Sequence, residues 1–210
     1  MPNFSFEIVR AFQDGRDMFI HATQTLAMCQ SQWVSMSLIR TGADGVSSVR
    51  HQITSRVEPG INPDPTMIEG RRDVCSEELT ESNRARILDF YERALVRRDS
   101  DAMREFLHPD GAISHNPRIC GSSDGFASYL DKRFTEERPM TYCGLLDLAA
   151  CGHFVALFAR ISYGGGVYKA CDLIRLEDGF IAEHWDVCEF EPPVMGRGED
   201  MLDPLKRATR

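Results

Sequence analysis

The stretch CDLIRLEDGFIAEHWD, residues 171–186, decides the fold prediction. Its two halves have the residue alternation of β-strands, and Glu177-Asp-Gly179 between them is a turn sequence. The pattern predicts a hairpin with a three-residue loop, in which Gly179 takes the left-handed conformation and forms a bulge. Leu176 then pairs with Phe180.

This register places three ionisable residues on one face of the sheet. Counting back from the turn puts Asp172 opposite His184 and residue 170 opposite Asp186, while Glu183 and Trp185 take the other face. Burial in an apolar pocket raises the pKa of a carboxyl group toward neutrality, as a general acid or base requires. The alternative is an ordinary ion pair at a solvated strand end.

The flanking sequence predicts helices first and strands afterwards. Residues 76–140 have helical periodicity, with a first helix from about 80, a second after Asp99 and a third after Asp124. Residues 112–115 indicate a short strand between the last two. Strands are predicted at 142–149, 154–162, 167–175 and 180–190. This is an α+β plan, with three helices packed on a curved antiparallel sheet and a pocket between them.

An internal repeat precedes this unit. Leu38-Ile-Arg40 and Leu173-Ile-Arg175 anchor a weak parallel between about 8–69 and 146–203. A linker with three prolines follows at 58–65, so we predict a strand-rich half-repeat and linker at 1–75 and a full domain at 76–210. Ser37 stands where the second copy has Asp172, which indicates that the first copy has no catalytic role. It is expected to pack on the outer face of the full domain or to be a truncated tandem repeat.

Composition narrows the class of protein. The 210 residues carry a formal net charge of −8, which argues against a nucleic-acid or anionic membrane partner. No apolar run is long enough for a membrane helix, and no signal peptide is recognised at the start. The seven cysteines form no CxxC pair and are interpreted as small buried apolar residues. A cytoplasmic location is therefore expected.

Four motifs in order resemble the SnoaL-like polyketide cyclase family, which belongs to the nuclear-transport-factor-2-like superfamily. They are Ser114-His-Asn-Pro117, Cys171-Asp-Leu-Ile-Arg175, Glu177-Asp-Gly179 and Glu183-His-Trp-Asp186. The resemblance covers about residues 80–203. It implies a cone-shaped α+β domain with a metal-free pocket, no cofactor, and ring closure by intramolecular aldol condensation.

The resemblance also implies roles for residues of this chain. Asp186 matches the general acid/base, and Asp172 and His184 are expected to assist it. His115 and Asn116 match positions that line the pocket and would orient the substrate. We also assign Trp185 to substrate contact, with simple packing as the alternative. The predicted function is a small-molecule lyase, isomerase or cyclase acting on a carbonyl-bearing substrate.

Two other functions stay open. One is a small-molecule-binding protein of the same superfamily without catalysis, which a cavity with no room near Asp186 would favour. The other is a metal site of His115, His184 and a carboxylate. The expected partner is a small-molecule substrate. A homodimer through sheet faces and an internal pseudo-dimer made with the half-repeat are both possible assemblies.

Overall fold

The computed structural model describes residues 4–26, 31–59, 66–120 and 124–192. The first part of the chain is a four-stranded antiparallel sheet, called here the N-terminal sheet, whose strands follow one another in chain order. Its strands are β1 (Phe4–Asp14), β2 (Asp17–Leu26), β3 (Ser31–Thr41) and β4 (Ser47–Arg56).

The second part is the C-terminal sheet, in the order β5-β9-β8-β7-β6. Its strands are β5 (Ile113–Ser114), β6 (Thr141–Cys151), β7 (Phe154–Tyr163), β8 (Gly166–Glu177) and β9 (Phe180–Phe190). The four long strands form an antiparallel meander, and β5 adds to β9 in parallel.

Helices cover one face of the C-terminal sheet. They are α1 (Thr80–Phe90), which continues as a π-helical turn at Tyr91–Val96, α2 (Ser100–Arg104) and α3 (Gly125–Thr135). Asp99 caps α2 by accepting hydrogen bonds from the backbone N–H groups of Asp101 and Ala102 at 3.1 and 2.9 Å. The apolar residues of these helices form one buried cluster with the strands beneath them. The predicted order, helices before strands, is confirmed.

The N-terminal sheet packs on the opposite face of the C-terminal sheet. Phe19 is fully buried there, with its ring centroid 4.8 Å from that of Phe12 and 6.3 Å from that of Phe158. Val34, Met36 and Leu38 join the same apolar cluster. The inner face of β2 and β3 is therefore covered by the C-terminal sheet of the same chain.

The two sheets share local geometry as well as strand order. The β1–β2 hairpin turns at Gly15 (φ 59°) and the β6–β7 hairpin turns at Gly152 (φ 57°). The extra residue of a bulge lies six positions before each glycine, at Val9 in β1 and at Leu146 in β6. The two hairpins therefore match in the position of the turn and of the bulge, and the half-repeat stays a prediction.

The predicted register of the last hairpin is wrong. Glu177 pairs with Phe180 across a two-residue turn, in which both Asp178 (φ 51°) and Gly179 (φ 79°) are left-handed. A bulge then makes Ala182 the extra residue on β9. The turn and the bulge together place Asp172 opposite Asp186 rather than opposite His184.

Two smaller expectations concern the surface. Among the six described cysteines only Cys171 is buried, so the expectation of general cysteine burial is wrong; the seventh, Cys29, lies outside the described residues. In the described ranges we find no helix that combines the length and the apolarity needed to cross a membrane.

Candidate active site

A cavity of about 340 Å³ lies between the helices and the inner face of the C-terminal sheet. Its volume is in the usual range for small-molecule sites. Strands β8 and β9 contribute Asp172, His184 and Asp186 to the lining, and the loop after β5 contributes Asn116. Four of the five tyrosines of the chain also line it, at positions 129, 142, 163 and 168. The cavity therefore joins a polar end to aromatic walls.

Asp172 and His184 form a buried pair. His184 Nε2 lies 2.9 Å from Asp172 Oδ1, and the imidazole ring stacks on Phe126 with centroids 4.2 Å apart. Its Nδ1 faces the Ser114 hydroxyl at 3.4 Å. The second oxygen of Asp172 accepts a hydrogen bond from the Tyr142 hydroxyl at 3.4 Å. Both ring nitrogens and both carboxylate oxygens of this pair therefore already have partners.

Asp186 has a different environment. Its Oδ2 accepts a 2.8 Å hydrogen bond from the Asn116 amide. Its Oδ1 is shielded from solvent but has no hydrogen-bond partner among the described residues. A buried carboxylate oxygen without a partner is energetically costly, and such atoms concentrate at functional sites. Of the two acids at the inner end of the cavity, Asp186 is the one with an oxygen free to accept a proton.

The pKa values of the site follow from burial and charge. Burial raises the pKa of Asp186 above its ordinary value, and the neighbouring Asp172 raises it further. Burial acts to lower the pKa of His184, but the hydrogen bond to Asp172 and the charge of Asp186 outweigh it, so the net shift is upward. The charged form of His184 is therefore favoured more strongly here than in a free imidazole.

The loop after β5 holds Asn116 in place. The backbone N–H of Arg118 donates to Asn116 Oδ1 at 2.7 Å, which leaves the amide nitrogen directed at Asp186. The amide orientation is the one that satisfies both partners. Asn116 thus lies where the sequence places it, on the wall of the cavity.

His115 and Trp185 do not line the cavity, so the expectation that they contact a substrate there is wrong. They lie on the opposite face of the C-terminal sheet, where their rings stack with centroids 4.5 Å apart. His115 also contacts the Glu183 carboxylate at 3.2 Å, and Trp185 donates to the Glu69 carbonyl at 2.9 Å. Alternation along β5 and β9 is the reason, since neighbours in a strand point to opposite faces.

The same geometry contradicts the two-histidine metal site. His115 lies on the face toward the N-terminal sheet and His184 on the face toward the helices, so the sheet separates them. The residues that the structure describes contain no group of three or more potential ligands placed to hold a metal ion.

Sequence reasoning missed several lining residues. Tyr142 is one, and its hydroxyl reaches Asp172 from β6, two strands away. Four more are Ser55, Arg56, Glu58 and Met67, and these belong to the N-terminal half of the chain. The sequence gives no local signal for them, because they reach the cavity only through the packing of the two sheets.

Comparison with known proteins supports the resemblance. The family model described as a SnoaL-like domain matches residues 87–184, and the resemblance inferred from the motifs is confirmed over that segment. The matched segment is just under half of the chain. No curated protein matches.

Among similar solved structures is a putative ketosteroid isomerase from Kribbella flavida, at 16% identity over 60% of this chain and 96% of that one, with a TM-score of 0.46. A putative SnoaL-like polyketide cyclase from a Jannaschia species has 17% identity over 58% and 92%, and a TM-score of 0.45. An LEH-like epoxide hydrolase from M. tuberculosis has 16% identity over 52% and 84%, and a TM-score of 0.44.

Proposed function

We propose that the protein is a small-molecule lyase, isomerase or cyclase in which Asp186 is the general acid and base. The observation that carries the proposal is the contrast between Asp172 and Asp186, the two acids on the sheet side of the cavity. Asp172 has both oxygens engaged, whereas Asp186 Oδ1 is shielded from solvent and has no hydrogen-bond partner among the described residues. The raised pKa of Asp186 suits proton transfer near neutral pH.

The proposed chemistry begins at a carbon next to a carbonyl group. Asp186 Oδ1 takes the proton from that carbon, the C–H electron pair forms a C=C bond, and the π electron pair of the carbonyl group moves onto its oxygen to give an enolate. In an isomerase the proton returns to another carbon of the conjugated system. In a cyclase the enolate carbon bonds to a second carbonyl carbon of the same molecule, and the oxygen of that carbonyl receives the proton from Asp186.

The remaining polar residues have supporting roles in this proposal. Asn116 fixes the orientation of the Asp186 carboxylate. Once Asp186 has taken the proton it is neutral, and the charged form of His184 then balances the charge of Asp172 beside the forming enolate. Neither Asn116 nor the Asp172–His184 pair needs a metal or an organic cofactor for these roles. A cavity that has room beside Asp186 favours this enzyme over the alternative of a protein that only binds.

Solvent exchange tests the proposal without a known substrate. Aryl ketones, whose α-protons exchange slowly on their own, are incubated with the protein in D₂O, and exchange is followed by NMR. Wild-type protein should accelerate exchange for part of such a panel, and Asp186→Asn should lower the rate by roughly 10²- to 10⁴-fold. Asp131→Asn is the matched control, because Asp131 is exposed on α3 and does not line the cavity. Full exchange activity in a folded D186N protein would rule the proposal out.

A further inference from the structure

The rim of the cavity is built partly by the N-terminal half of the chain. Arg56 is the last residue of β4, Glu58 follows it, and both line the cavity together with Arg118 from the loop after β5. All three are exposed, so this is where the cavity meets solvent. Glu58 and Arg118 form an ion pair, with Arg118 Nη2 at 3.0 and 3.2 Å from the two carboxylate oxygens.

The guanidinium of Arg56 differs from that of Arg118, because among the residues that the structure describes it has no hydrogen bond or ion pair, whereas Arg118 is paired with Glu58. At the inner end of the cavity the charge is reversed, because the two carboxylates of Asp172 and Asp186 outnumber the single imidazole of His184. An anionic group is repelled by that end and attracted to the rim. A neutral carbonyl group has no such penalty at the inner end.

We propose that Arg56 is an anion-binding subsite, so that the substrate is a carbonyl compound with an oxyanion group, such as a carboxylate, at the end remote from the reacting carbon. This inference rests on the proposed function for the orientation of the substrate. Glu58 competes for the same charge by occupying Arg118. The tyrosine walls between the two ends suit a flat apolar body. The N-terminal sheet thus determines specificity through its last strand.

Two fluorescent dyes that differ by one anionic group test this subsite. 1-Anilinonaphthalene-8-sulfonate carries a sulfonate, and N-phenyl-1-naphthylamine is its neutral counterpart. Both are titrated into the folded full-length protein. Arg56→Gln should lower the affinity for the sulfonate dye by up to about fivefold, as expected for a solvent-accessible ion pair. The affinity for the neutral dye should not change. Glu58→Gln should strengthen the sulfonate dye, because it frees Arg118. Added salt should reduce both effects.

Two variants complete the design. Arg16→Gln removes an exposed arginine from the β1–β2 turn, outside the cavity lining, and should change neither dye. Ala170 lines the cavity, so the larger side chain of Ala170→Phe should fill part of it and lower the affinity for both dyes. The proposal is overturned if R56Q binds both dyes with the same affinities as R16Q, or if R56Q loses affinity for both dyes equally. It is also overturned if A170F loses affinity for neither dye, because the dyes then bind outside this cavity. Binding alone is measured, so a failure of catalysis in D186N and a failure of the anion subsite remain distinguishable.

Discussion

Asn116 controls how readily Asp186 gives up its proton. Its amide donates to Asp186 Oδ2 at 2.8 Å, and this hydrogen bond lowers the pKa of a carboxyl group that burial and Asp172 otherwise raise. A hydrogen bond to the charged form favours ionisation, and its loss favours the protonated acid. In the proposed mechanism, Asn116 therefore extends to lower pH the range in which Asp186 is available as a base.

Replacing Asn116 with alanine should raise the pKa of Asp186 further. A base is active only when ionised, so the acid limb of the exchange rate should move to higher pH in N116A. The Asp186 carboxyl carbon can also be titrated directly by NMR, with Asp186→Asn identifying its resonance. An unchanged or lowered pKa in N116A would contradict the role given to this amide.

The sequence predicted single residues well where alternation alone decides them. Asp172, His184 and Asp186 share a face because all three have the same parity along their strands. The same rule applied to Ser114, His115 and Asn116 would have placed His115 on the face away from the cavity, where it is found. The motif resemblance put both His115 and Asn116 in the pocket, and the prediction failed for His115.

At the scale of the element, the β8–β9 hairpin shows how a wrong register can give a correct face. A two-residue turn shifts the pairing by one residue relative to the predicted register, and the bulge at Ala182 shifts it by one more. The total shift of two residues leaves Asp172, His184 and Asp186 on the same face of the sheet, as predicted. The sequence cannot show this bulge. Its position depends on β5 and on the preceding loop, whose Phe106 carbonyl accepts from the Ile181 N–H at 2.7 Å.

Strands β1 and β2 carry a second polar group, buried between the two sheets. Arg10 donates to His21 Nδ1 at 2.6 Å and to the backbone carbonyls of Arg71 and Glu69 at 3.0 and 2.7 Å. Its guanidinium lies 4.2 Å from the Trp185 ring centroid. Burial, with the charge of Arg10, lowers the pKa of His21 to about 3. This cluster ties the segment after the linker to both sheets.

His21 should make the fold sensitive to mild acid. The pKa of His21 is about 3 in the folded protein and 6.5 in the unfolded chain. As the pH falls from 6.5 to about 3, His21 is therefore protonated in the unfolded chain but still neutral in the folded protein, which favours unfolding. Between pH 7 and pH 5 the wild type should therefore lose about 2 kcal/mol of unfolding free energy through His21. His21→Gln keeps an acceptor for Arg10 and removes the titration.

Urea unfolding at pH 7 and pH 5 measures this difference. The loss of stability should be about 2 kcal/mol smaller in H21Q than in the wild type. His108→Gln, which removes a histidine near α2, should retain the wild-type loss. Equal losses in H21Q and the wild type would show that His21 is not held neutral in the fold.

At the scale of the whole molecule, the sequence predicted two units and the structure joins them through one apolar cluster. The helices, the meander and the half-repeat were predictable from periodicity and internal similarity, because these are local patterns. The shared cluster and the reach of Arg56 and Glu58 into the cavity were not, because they depend on how one sheet lies on the other. The division at residue 75 stays a prediction about folding units.

Unfolding with one tryptophan per sheet tests that division. Trp33 lies in the N-terminal sheet and Trp185 in the C-terminal sheet, and the chain has no other. Because Phe19, Phe12 and Leu38 pack in one cluster with residues of β7–β9, neither sheet keeps its core when the other is lost. The two sheets should therefore unfold together.

In Trp33→Phe and in Trp185→Phe, the urea midpoint from the remaining tryptophan should coincide with the midpoint from far-UV circular dichroism. If the Trp33 signal is lost at clearly lower urea than the dichroism, the half-repeat unfolds as a separate unit and the shared cluster does not couple the sheets.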